Sequence, residues 1–346
     1  MTVYTLNPLQ DRRWADFVSR HPRAAVFHTP GWLDAIHRTY GYEPVVYTTC
    51  APTESLTNGV VFCRINSWLT GRRMVSVPFA DHCEPLVERE EDRSEIFTAL
   101  RRLVEQAEWK YIEIRPRASA LLTEPGVTRD RSYGLHTLDL RPPTEELFRR
   151  LHKDSIQRKI RRAEREGVLC EEGRSEALLR QFYKLLLLTR RRHRLPPQPF
   201  GWFLNLCTCL GDRLTIRLAS KDGRPLAAIL TLRHGDTLVY KYGASDATVH
   251  NLGAMPFLLW AAIRDAKETG LMELDLGRSD SDNSGLMIFK QRLGATASML
   301  TYARWSSLRA RHAAEGRAMH VAKQLFTWMP DGLLTAAGRL LYRHIA

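Results

Sequence analysis

The segment TLVYKYGASDATVHNLG (237–253), followed by AMPFLLWAAIRDAKET (254–269), decides the fold. Its first part alternates β-branched or aromatic side chains with others, which predicts a strand at 237–242 and a loop after it. Its last part carries apolar residues at helical spacing and stops at Gly270, which predicts a helix. A glycine-containing loop at a helix N-terminus leaves backbone N–H groups that can bind a phosphate.

The chain continues past this helix with the same kind of alternation. We predict a strand at 271–276, a polar loop at 277–285 and a short helix at 286–293. Three antiparallel strands, a crossover helix and another strand appear twice in the sequence, near 44–115 and 214–276. The predicted fold class is therefore α+β, with two mixed, mostly antiparallel sheets flanked by helices.

The sequence predicts where each half begins and ends. The N-terminal half is predicted at 1–145, with 300–346 docked on it, and the C-terminal half at 146–299. Strands are predicted at 44–49, 59–66, 74–79, 111–115, 135–140, 214–219 and 225–233, and helices at 32–40, 93–109, 178–189, 200–209 and 333–345. The last of these helices either docks on the N-terminal half or lies at a membrane interface.

The charge balance is unusual, because 51 Lys and Arg oppose 38 Asp and Glu and give a net charge of +13. This favours a polyanionic partner such as RNA, a nucleotide-linked substrate or an acidic membrane surface, although a merely basic soluble protein is the alternative. No signal peptide pattern opens the chain, so we expect a cytoplasmic protein, with peripheral contact at the inner face of the membrane as an option. The six cysteines lack zinc spacing and are expected to be buried and reduced, and no metal is expected.

A basic helix is predicted to open the C-terminal half, from Asp154 or Ser155 to Glu166. One face carries four arginines, at 158, 161, 162 and 165, and the opposite face carries Ile156, Ile160 and Ala163. Arginine has the fork geometry that suits phosphate, so Arg158 and Arg162 are candidate substrate-binding residues. The alternative is a solvated basic face that the neighbouring glutamates partly neutralise.

Four stretches resemble the Fem-type (FemAB-like) aminoacyltransferases of the GNAT superfamily. They are YKYGASDATVHNLGAM (240–255), LMELDLGR (271–278), GLMIFKQRLGA (285–295) and the basic HKDSIQRKIRRAEREG (152–167). The stretches WLDAIHRTYGYEP (32–44) and SVPFADHCEPL (76–86) resemble the subset found with bacterial exopolysaccharide genes, the PEP-CTERM system. The resemblance implies a tandem GNAT fold and transfer of an acyl or aminoacyl group to an amine of a cell-envelope or exopolysaccharide precursor.

Transfer of an acyl group to an amine needs a neutral nucleophile, a route for its proton and positive charge near the developing oxyanion. The resemblance aligns a Phe-Lys pair of the family with Phe289 and Lys290, and we expect Lys290 to stabilise the donor or the oxyanion. A solvated helix lysine is the alternative. Either Asp81 or His82, in the loop after the third strand, could accept the proton. The remaining candidates are Asp275 as a catalytic residue and Tyr240, Tyr242, Arg278 and Phe289 as substrate-binding residues.

The loop His250–Ala254 is the candidate donor site, through His250, Asn251, Gly253 and Ala254. It departs from the usual GNAT coenzyme A pattern, Arg/Gln-x-x-Gly-x-Gly/Ala, by the histidine at its first position and Met255 at its last. No permanently bound cofactor is expected, and the acyl donor is either an aminoacyl-tRNA or an acyl-CoA. The acceptor is expected to be an anionic precursor, nucleotide- or lipid-linked, and DNA is not expected as a partner.

Two other classes of function stay open at this stage. One is an acyl-CoA-dependent N-acetyltransferase of a small amine or sugar. The other is a non-catalytic protein of the same fold that binds RNA or a membrane surface through its basic face. A catalytic role for Lys290 separates the enzymes from the binding protein, and the chemistry of the loop His250–Met255 separates the two enzymes.

Overall fold

The computed structural model describes residues 2–106, 109–118, 121–122, 126–306 and 331–344. Within these residues the chain divides into two compact units. Unit 1 contains 2–133, 299–306 and 340–344, and unit 2 contains 134–298 and 331–339. The division falls between Tyr133 and Gly134, whereas the sequence predicts it at residue 145.

Unit 1 combines a mixed sheet with three helices in the described residues. Its helices are α1 Arg12–Arg20, α2 Pro30–Tyr40 and α3 Glu90–Glu105. Its strands are β1 Tyr4–Leu6, β2 Glu43–Thr48, β3 Val60–Ser67, β4 Gly71–Val75 and β5 Tyr111–Ile114, followed by parts of β6 Thr128–Asp139 and β12 Thr296–Ser306. The first four strands form an antiparallel meander, β4 pairs with β5 in parallel, and β12 pairs antiparallel with β5.

Unit 2 repeats the scheme with more helices around its sheet. Its helices are α4 Thr144–Arg150, α5 Arg158–Arg165, α6 Glu176–Arg192, α7 Phe200–Leu210, α8 Ala254–Glu268, α9 Ser284–Arg292 and the start of α10 Asp331–Tyr342. Its strands follow the order β6, β11 Glu273–Asp280, β10 Thr237–Ser245, β9 Arg224–His234, β8 Leu214–Lys221 and β7 Leu169–Gly173. Neighbours from β7 to β10 are antiparallel, and β10 and β11 are parallel.

Local signals in the sequence explain where several helices begin and end. The side chain of Thr29 accepts the N–H of Trp32 at the start of α2, and Gly41 ends that helix with a φ of 72°. The basic helix α5 follows a π-helical segment, Lys153–Gln157, and Gly167 takes a φ of 70° after it. Ile156, Ile160 and Ala163 are buried in the core of unit 2, as their spacing predicted.

Some elements were predicted with the wrong bounds, and others were not predicted at all. The strand predicted at 74–79 runs over Gly71–Val75 instead, because Val77 and Phe79 adopt positive φ angles that a strand excludes. The loop predicted from Gly277 is still strand up to Asp280. The structure also contains β1, β7, β12 and α1, which were not predicted from the sequence.

The structure can also be compared with the predictions for the cysteines and for the end of the chain. Among the cysteines, Cys50, Cys63 and Cys83 are buried, but the prediction of burial was wrong for Cys170, which is exposed on the edge strand β7. At the end of the chain, the hydroxyl of Tyr42 donates to the carbonyl oxygen of Tyr342 at 2.9 Å within unit 1. The described residues 331–339, which also lie in the segment predicted to dock there, belong to unit 2. Residues 307–330, in the predicted docked segment 300–346, lie outside the described residues. No described helix combines the length and the apolar character that crossing a bilayer requires.

Candidate active site in unit 2

The parallel strands β10 and β11 are paired only at their beginnings in the described structure. The backbone register joins Thr237 to Glu273 and ends with Val239 opposite Asp275. Both strands continue beyond this point, β10 to Ser245 and β11 to Asp280. The later residues of the two strands therefore border an opening in the ladder, which we call the β10–β11 gap.

Two local distortions coincide with the β10–β11 gap. In β10 the register with β9 shifts between Tyr240 and Tyr242, which is a bulge that bends the strand. In β11 Gly277 takes a φ of 71°, a conformation that favours glycine. The buried carboxylate of Asp275 accepts the N–H of Gly277 at 2.7 Å and so holds the bend. Asp275 therefore stabilises the backbone bend of β11 beside the β10–β11 gap.

Lys290 lies at this bend and is only 3% exposed. Its ammonium donates to the carbonyl oxygens of Gly277 at 2.8 Å and Arg278 at 3.0 Å. Burying an ammonium is costly unless it is paired or hydrogen-bonded, and these two carbonyls provide hydrogen bonds. The alternative of a solvated helix lysine is therefore wrong, because the charge lies inside the unit beside the β10–β11 gap.

His136 is a neighbour of Lys290 that was not predicted from the sequence. Its side chain is 0% exposed, and neither ring nitrogen has a hydrogen-bond partner among the described residues. Burial lowers the pKa of His136, and the positive charge of Lys290 lowers it further, so the imidazole is neutral at pH 7. The hydroxyl of Ser279 is likewise buried without a partner in the described part of the chain. A lone histidine in a predicted strand has no spacing signal that could have revealed this position.

The predicted substrate-binding residues of unit 2 lie on the same elements. Tyr240 and Phe289 pack on the hydrophobic core of the unit, and Arg278 is half-buried on β11. Burial raises the pKa of Tyr240 to about 12, so its phenol stays protonated and can donate a hydrogen bond. A side chain at Gly243 would collide with the Tyr240 hydroxyl, since an added Cβ would lie 1.8 Å from that oxygen.

Tyr242 is tied into the core on the other side of the bulge. Its hydroxyl accepts the indole N–H of Trp202 at 2.9 Å, and its ring meets that of Phe203 edge to face. These contacts fix the position of the Tyr242 side chain. The structure thus brings Tyr240, Tyr242, Asp275, Arg278, Phe289 and Lys290 onto β10, β11 and α9.

The loop before α8 packs against α5. Gly253 begins the helix with a φ of 78°, and a Cβ added there would lie 2.3 Å from the carbonyl oxygen of Lys159. Pro256, in the first turn, has no N–H to offer. Of the predicted donor-binding residues, Gly253 and Ala254 are buried, whereas His250 and Asn251 are exposed.

Gly253→Ala should lower the free energy of unfolding by about 2–4 kcal/mol, because the new methyl group adds a backbone collision to the strain of a positive φ. Gly270→Ala is the matched control, since Gly270 has the same φ of 78° with nothing within 4 Å of the added Cβ. Urea denaturation of both variants separates strain from collision. If the two variants lose the same free energy of unfolding, the close approach of the Lys159 carbonyl to Gly253 adds no collision to the strain of the positive φ.

Positive charge collects around His250. Its Nε2 lies 2.9 Å from the Ser245 hydroxyl and 3.3 Å from a guanidinium nitrogen of Arg192. Partial burial of the ring lowers the pKa of His250, the charges of Arg192 and Lys159 lower it further, and the charge of Asp246 opposes them. The start of α8 therefore combines the positive end of a helix dipole with two cationic side chains.

The basic face of α5 is partly neutralised. Arg158 is exposed and pairs with Asp154 at 3.0 Å, and Arg162 lies 3.9 Å from Glu166. The guanidinium of Arg161 stacks 5.5 Å from the ring centre of Phe148. Both readings of this face, anion binding and solvation, fit these exposed i,i+4 pairs.

The two other predicted catalytic residues, Asp81 and His82, belong to unit 1. Asp81 is half-buried, and its carbonyl oxygen accepts the hydroxyl of Tyr302 at 2.6 Å. His82 is buried with its ring edge against Phe27, 5.7 Å between centroids. Solvent therefore reaches Asp81 more easily than His82.

Known proteins match this chain in both sequence and fold. Residues 135–290 match the family model of an acetyltransferase (GNAT) domain. The crystal structure of FemX superposes with a TM-score of 0.70 at 14% identity, covering 89% of this chain and 98% of that one. A tandem GNAT protein from the clavulanic acid biosynthesis pathway gives a TM-score of 0.55 at 11% identity, covering 90% of this chain and 99% of that one.

One curated relative adds a sequence match. The UDP-N-acetylmuramoylpentapeptide-lysine N(6)-alanyltransferase of Weissella viridescens is 27% identical over 145 residues. The match covers 40% of this chain and 42% of the relative, less than half the length of either.

These findings identify the fold as a tandem GNAT fold, as the resemblance implied. Residues 135–290 match a GNAT domain, and the chain is similar to Fem-type proteins in sequence and in fold. The narrower assignment to the PEP-CTERM subset stays a prediction.

Proposed function

We propose that the protein is an enzyme that transfers an acyl or aminoacyl group to an amine of a cell-envelope or exopolysaccharide precursor. One observation carries the proposal: the buried ammonium of Lys290 lies beside the β10–β11 gap, within the region that matches a GNAT domain. A preorganised positive charge is what the oxyanion of an acyl transfer requires. The Weissella relative, an alanyltransferase by name, supports an amine as acceptor.

In the proposed reaction the neutral amine nitrogen attacks the carbonyl carbon of the donor. A C–N bond forms, and the carbonyl oxygen becomes an oxyanion that Lys290 stabilises. The bond to the leaving oxygen or sulfur then breaks, and the leaving group takes up a proton. The proton of the attacking nitrogen passes to water.

We favour an aminoacyl-tRNA as donor over an acyl-CoA. The first turn of α8 lacks the N–H of Pro256, and the Lys159 carbonyl fills the space beside Gly253, so this loop offers little room for a pyrophosphate. Lys159 and Arg192 place two cations around His250. Cations of this kind suit the phosphodiester backbone of a tRNA better than they suit a pyrophosphate, which is usually held by backbone N–H groups. An acyl-CoA-dependent N-acetyltransferase of a small amine or sugar is the second candidate, since the fold also matches the tandem GNAT protein of the clavulanic acid pathway.

The net positive charge of the chain indicates what else the protein binds. We propose an anionic acceptor, nucleotide- or lipid-linked, and a cytoplasmic protein that contacts the inner membrane surface peripherally, with no DNA partner. The net charge of +13 supports these partners.

The proposal is tested by mass spectrometry of ligands that co-purify with the protein, followed by a transfer assay. Alanyl-tRNA and acetyl-CoA, each with a labelled acyl group, are offered separately with a UDP-linked muramyl pentapeptide as acceptor. Labelled amide formed only from the tRNA supports the favoured donor, and amide formed only from acetyl-CoA supports the second candidate. Binding of tRNA without transfer from either donor, over a panel of amine acceptors, would support a non-catalytic binding protein.

Arg158→Ala combined with Arg162→Ala should raise the dissociation constant for tRNA by about tenfold and flatten its salt dependence, because two phosphate contacts are lost. Both side chains are at least partly exposed, so stability should change little. The control is Arg38→Ala with Arg180→Ala, which breaks two equivalent i,i+4 pairs elsewhere. Titrations at two salt concentrations measure both effects, and equal behaviour of the two double variants would make the α5 face a solvated surface.

A further inference from the structure

The hairpin between β3 and β4 exposes two large apolar side chains at its tip. Trp68 is 84% exposed and Leu69 is 55% exposed. The turn that carries them has fixed geometry, because Ser67 pairs with Gly71 and its hydroxyl accepts the N–H groups of Leu69 and Thr70 at 3.2 and 3.0 Å. The two side chains are therefore presented to solvent from a turn that is held from beneath.

The end of the chain provides this support. The ring of His344 lies 5.5 Å from that of Trp68 in an edge-to-face arrangement, and its Nδ1 is 2.9 Å from the Ser67 hydroxyl. The carbonyl oxygen of His344 accepts from Thr70 at 3.0 Å and from the buried Arg73 at 2.7 Å. All of these residues belong to unit 1, so the tip and the chain end form one body.

Basic side chains surround the tip. Arg72 is exposed, with its guanidinium 4.9 Å from the ring centre of Trp109. The stem of Lys110 reaches over Gly71, and Arg343 is exposed next to His344. The segments that form this region, 64–73, 109–112 and 340–344, contain no Asp or Glu. We call Trp68, Leu69, Arg72, Lys110 and Arg343 the tip surface.

We propose that the tip surface binds the headgroup region of an anionic lipid bilayer. A tryptophan with an apolar body and a polar N–H prefers the boundary between headgroups and acyl chains. Each Lys or Arg near an anionic leaflet adds attraction that salt screens. The exposed Trp68 and Leu69 provide the apolar contact, and the three cations beside them provide the attraction to anionic headgroups. The described residues 64–73, 109–112 and 340–344 contribute no carboxylate that would oppose this attraction.

The test is co-sedimentation of the full chain with vesicles of phosphatidylglycerol and phosphatidylcholine, compared with vesicles of phosphatidylcholine alone. We expect binding to the anionic vesicles that weakens with salt, and little binding to the neutral ones. Trp68→Ser with Leu69→Ser should weaken binding at least about tenfold, since two apolar side chains lose their burial. Arg72→Gln, Lys110→Gln and Arg343→Gln together should weaken it roughly 100-fold.

Matched controls separate this surface from general effects. Leu169→Ser changes a leucine that is 69% exposed on β7, and Arg20→Gln, Arg38→Gln and Arg180→Gln together remove the same charge elsewhere. Both controls should bind like the natural protein, and thermal melting should confirm that every variant folds. No binding to anionic vesicles, or equal losses in variants and controls, would overturn the proposal. A concentration-dependent dimer that only the Trp68 and Leu69 variant loses would assign the surface to a second copy. No acyl donor is present, so the result does not depend on the proposed function.

Discussion

Lys290→Met should lower the transfer rate by at least about 100-fold, the usual effect of removing one stabiliser of an oxyanion. It should also lower the free energy of unfolding by about 2–4 kcal/mol, because the carbonyl oxygens of Gly277 and Arg278 lose the buried ammonium that they accept from. The loss of stability is expected because the same nitrogen that would stabilise the donor also holds the bend of β11.

A matched control separates these two roles. Lys267 also donates to two backbone carbonyls, those of Leu140 at 3.0 Å and Arg141 at 3.1 Å, but it is half-exposed near the end of α8. Lys267→Met should therefore cost less stability and leave transfer within about threefold of the natural rate. Rates are measured at a temperature where both variants are folded by circular dichroism. If the two variants then transfer equally well, Lys290 only supports the backbone of β11.

The sequence predicts the order of elements in unit 2 well, because its signals are local. Helix α8 between Gly253 and Gly270, and α9 after the polar loop, follow from apolar spacing and from positions that need a positive φ. The pairing of Phe289 with Lys290 came from resemblance to a family. Neither signal could reveal that Lys290 is buried, because that depends on a bulge in β10 and a bend at Gly277 in another strand.

The parts that sequence reasoning missed depend on distant contacts. His136 lies beside Lys290 only because β6 and β11 are neighbours in the sheet. In unit 1 the carboxylate of Glu113 accepts from Arg304, which is 191 residues away along the chain. A single sequence carries no pattern for contacts of this kind, so polar networks inside the two units could not be predicted.

Glu113 is the centre of such a network and is 4% exposed. Its carboxylate accepts from Arg115 at 2.8 Å and from Arg304 at 2.8 and 2.9 Å. Arg115 in turn donates to the carbonyl oxygens of Val77 and Ala80 and stacks over the ring of Tyr302. The network thus supports the backbone of the loop that contains Asp81.

Glu113→Ala should lower the free energy of unfolding by about 3–5 kcal/mol, because it leaves the charge of the buried Arg115 without its carboxylate. Glu105→Ala, which breaks an exposed pair with Arg101 in the same unit, should cost about 1 kcal/mol or less. Urea denaturation at pH 7 measures both. A loss no larger than that of the control would mean that Arg115 finds another partner.

The effect should also depend on pH with a definite sign. Burial would raise the pKa of Glu113, but Arg115 and Arg304 outweigh it, so the pKa lies below the ordinary value of 4.5. A lowered pKa in the folded state gives stability that is present above about pH 4.5 and is lost as pH falls through the folded value. The stability difference between the natural protein and Glu113→Ala should therefore shrink in acid. Hydrogen exchange at Cys83, whose N–H donates to the Arg115 carbonyl at 2.7 Å, should rise in the variant at pH 7 if this network holds the Asp81 loop.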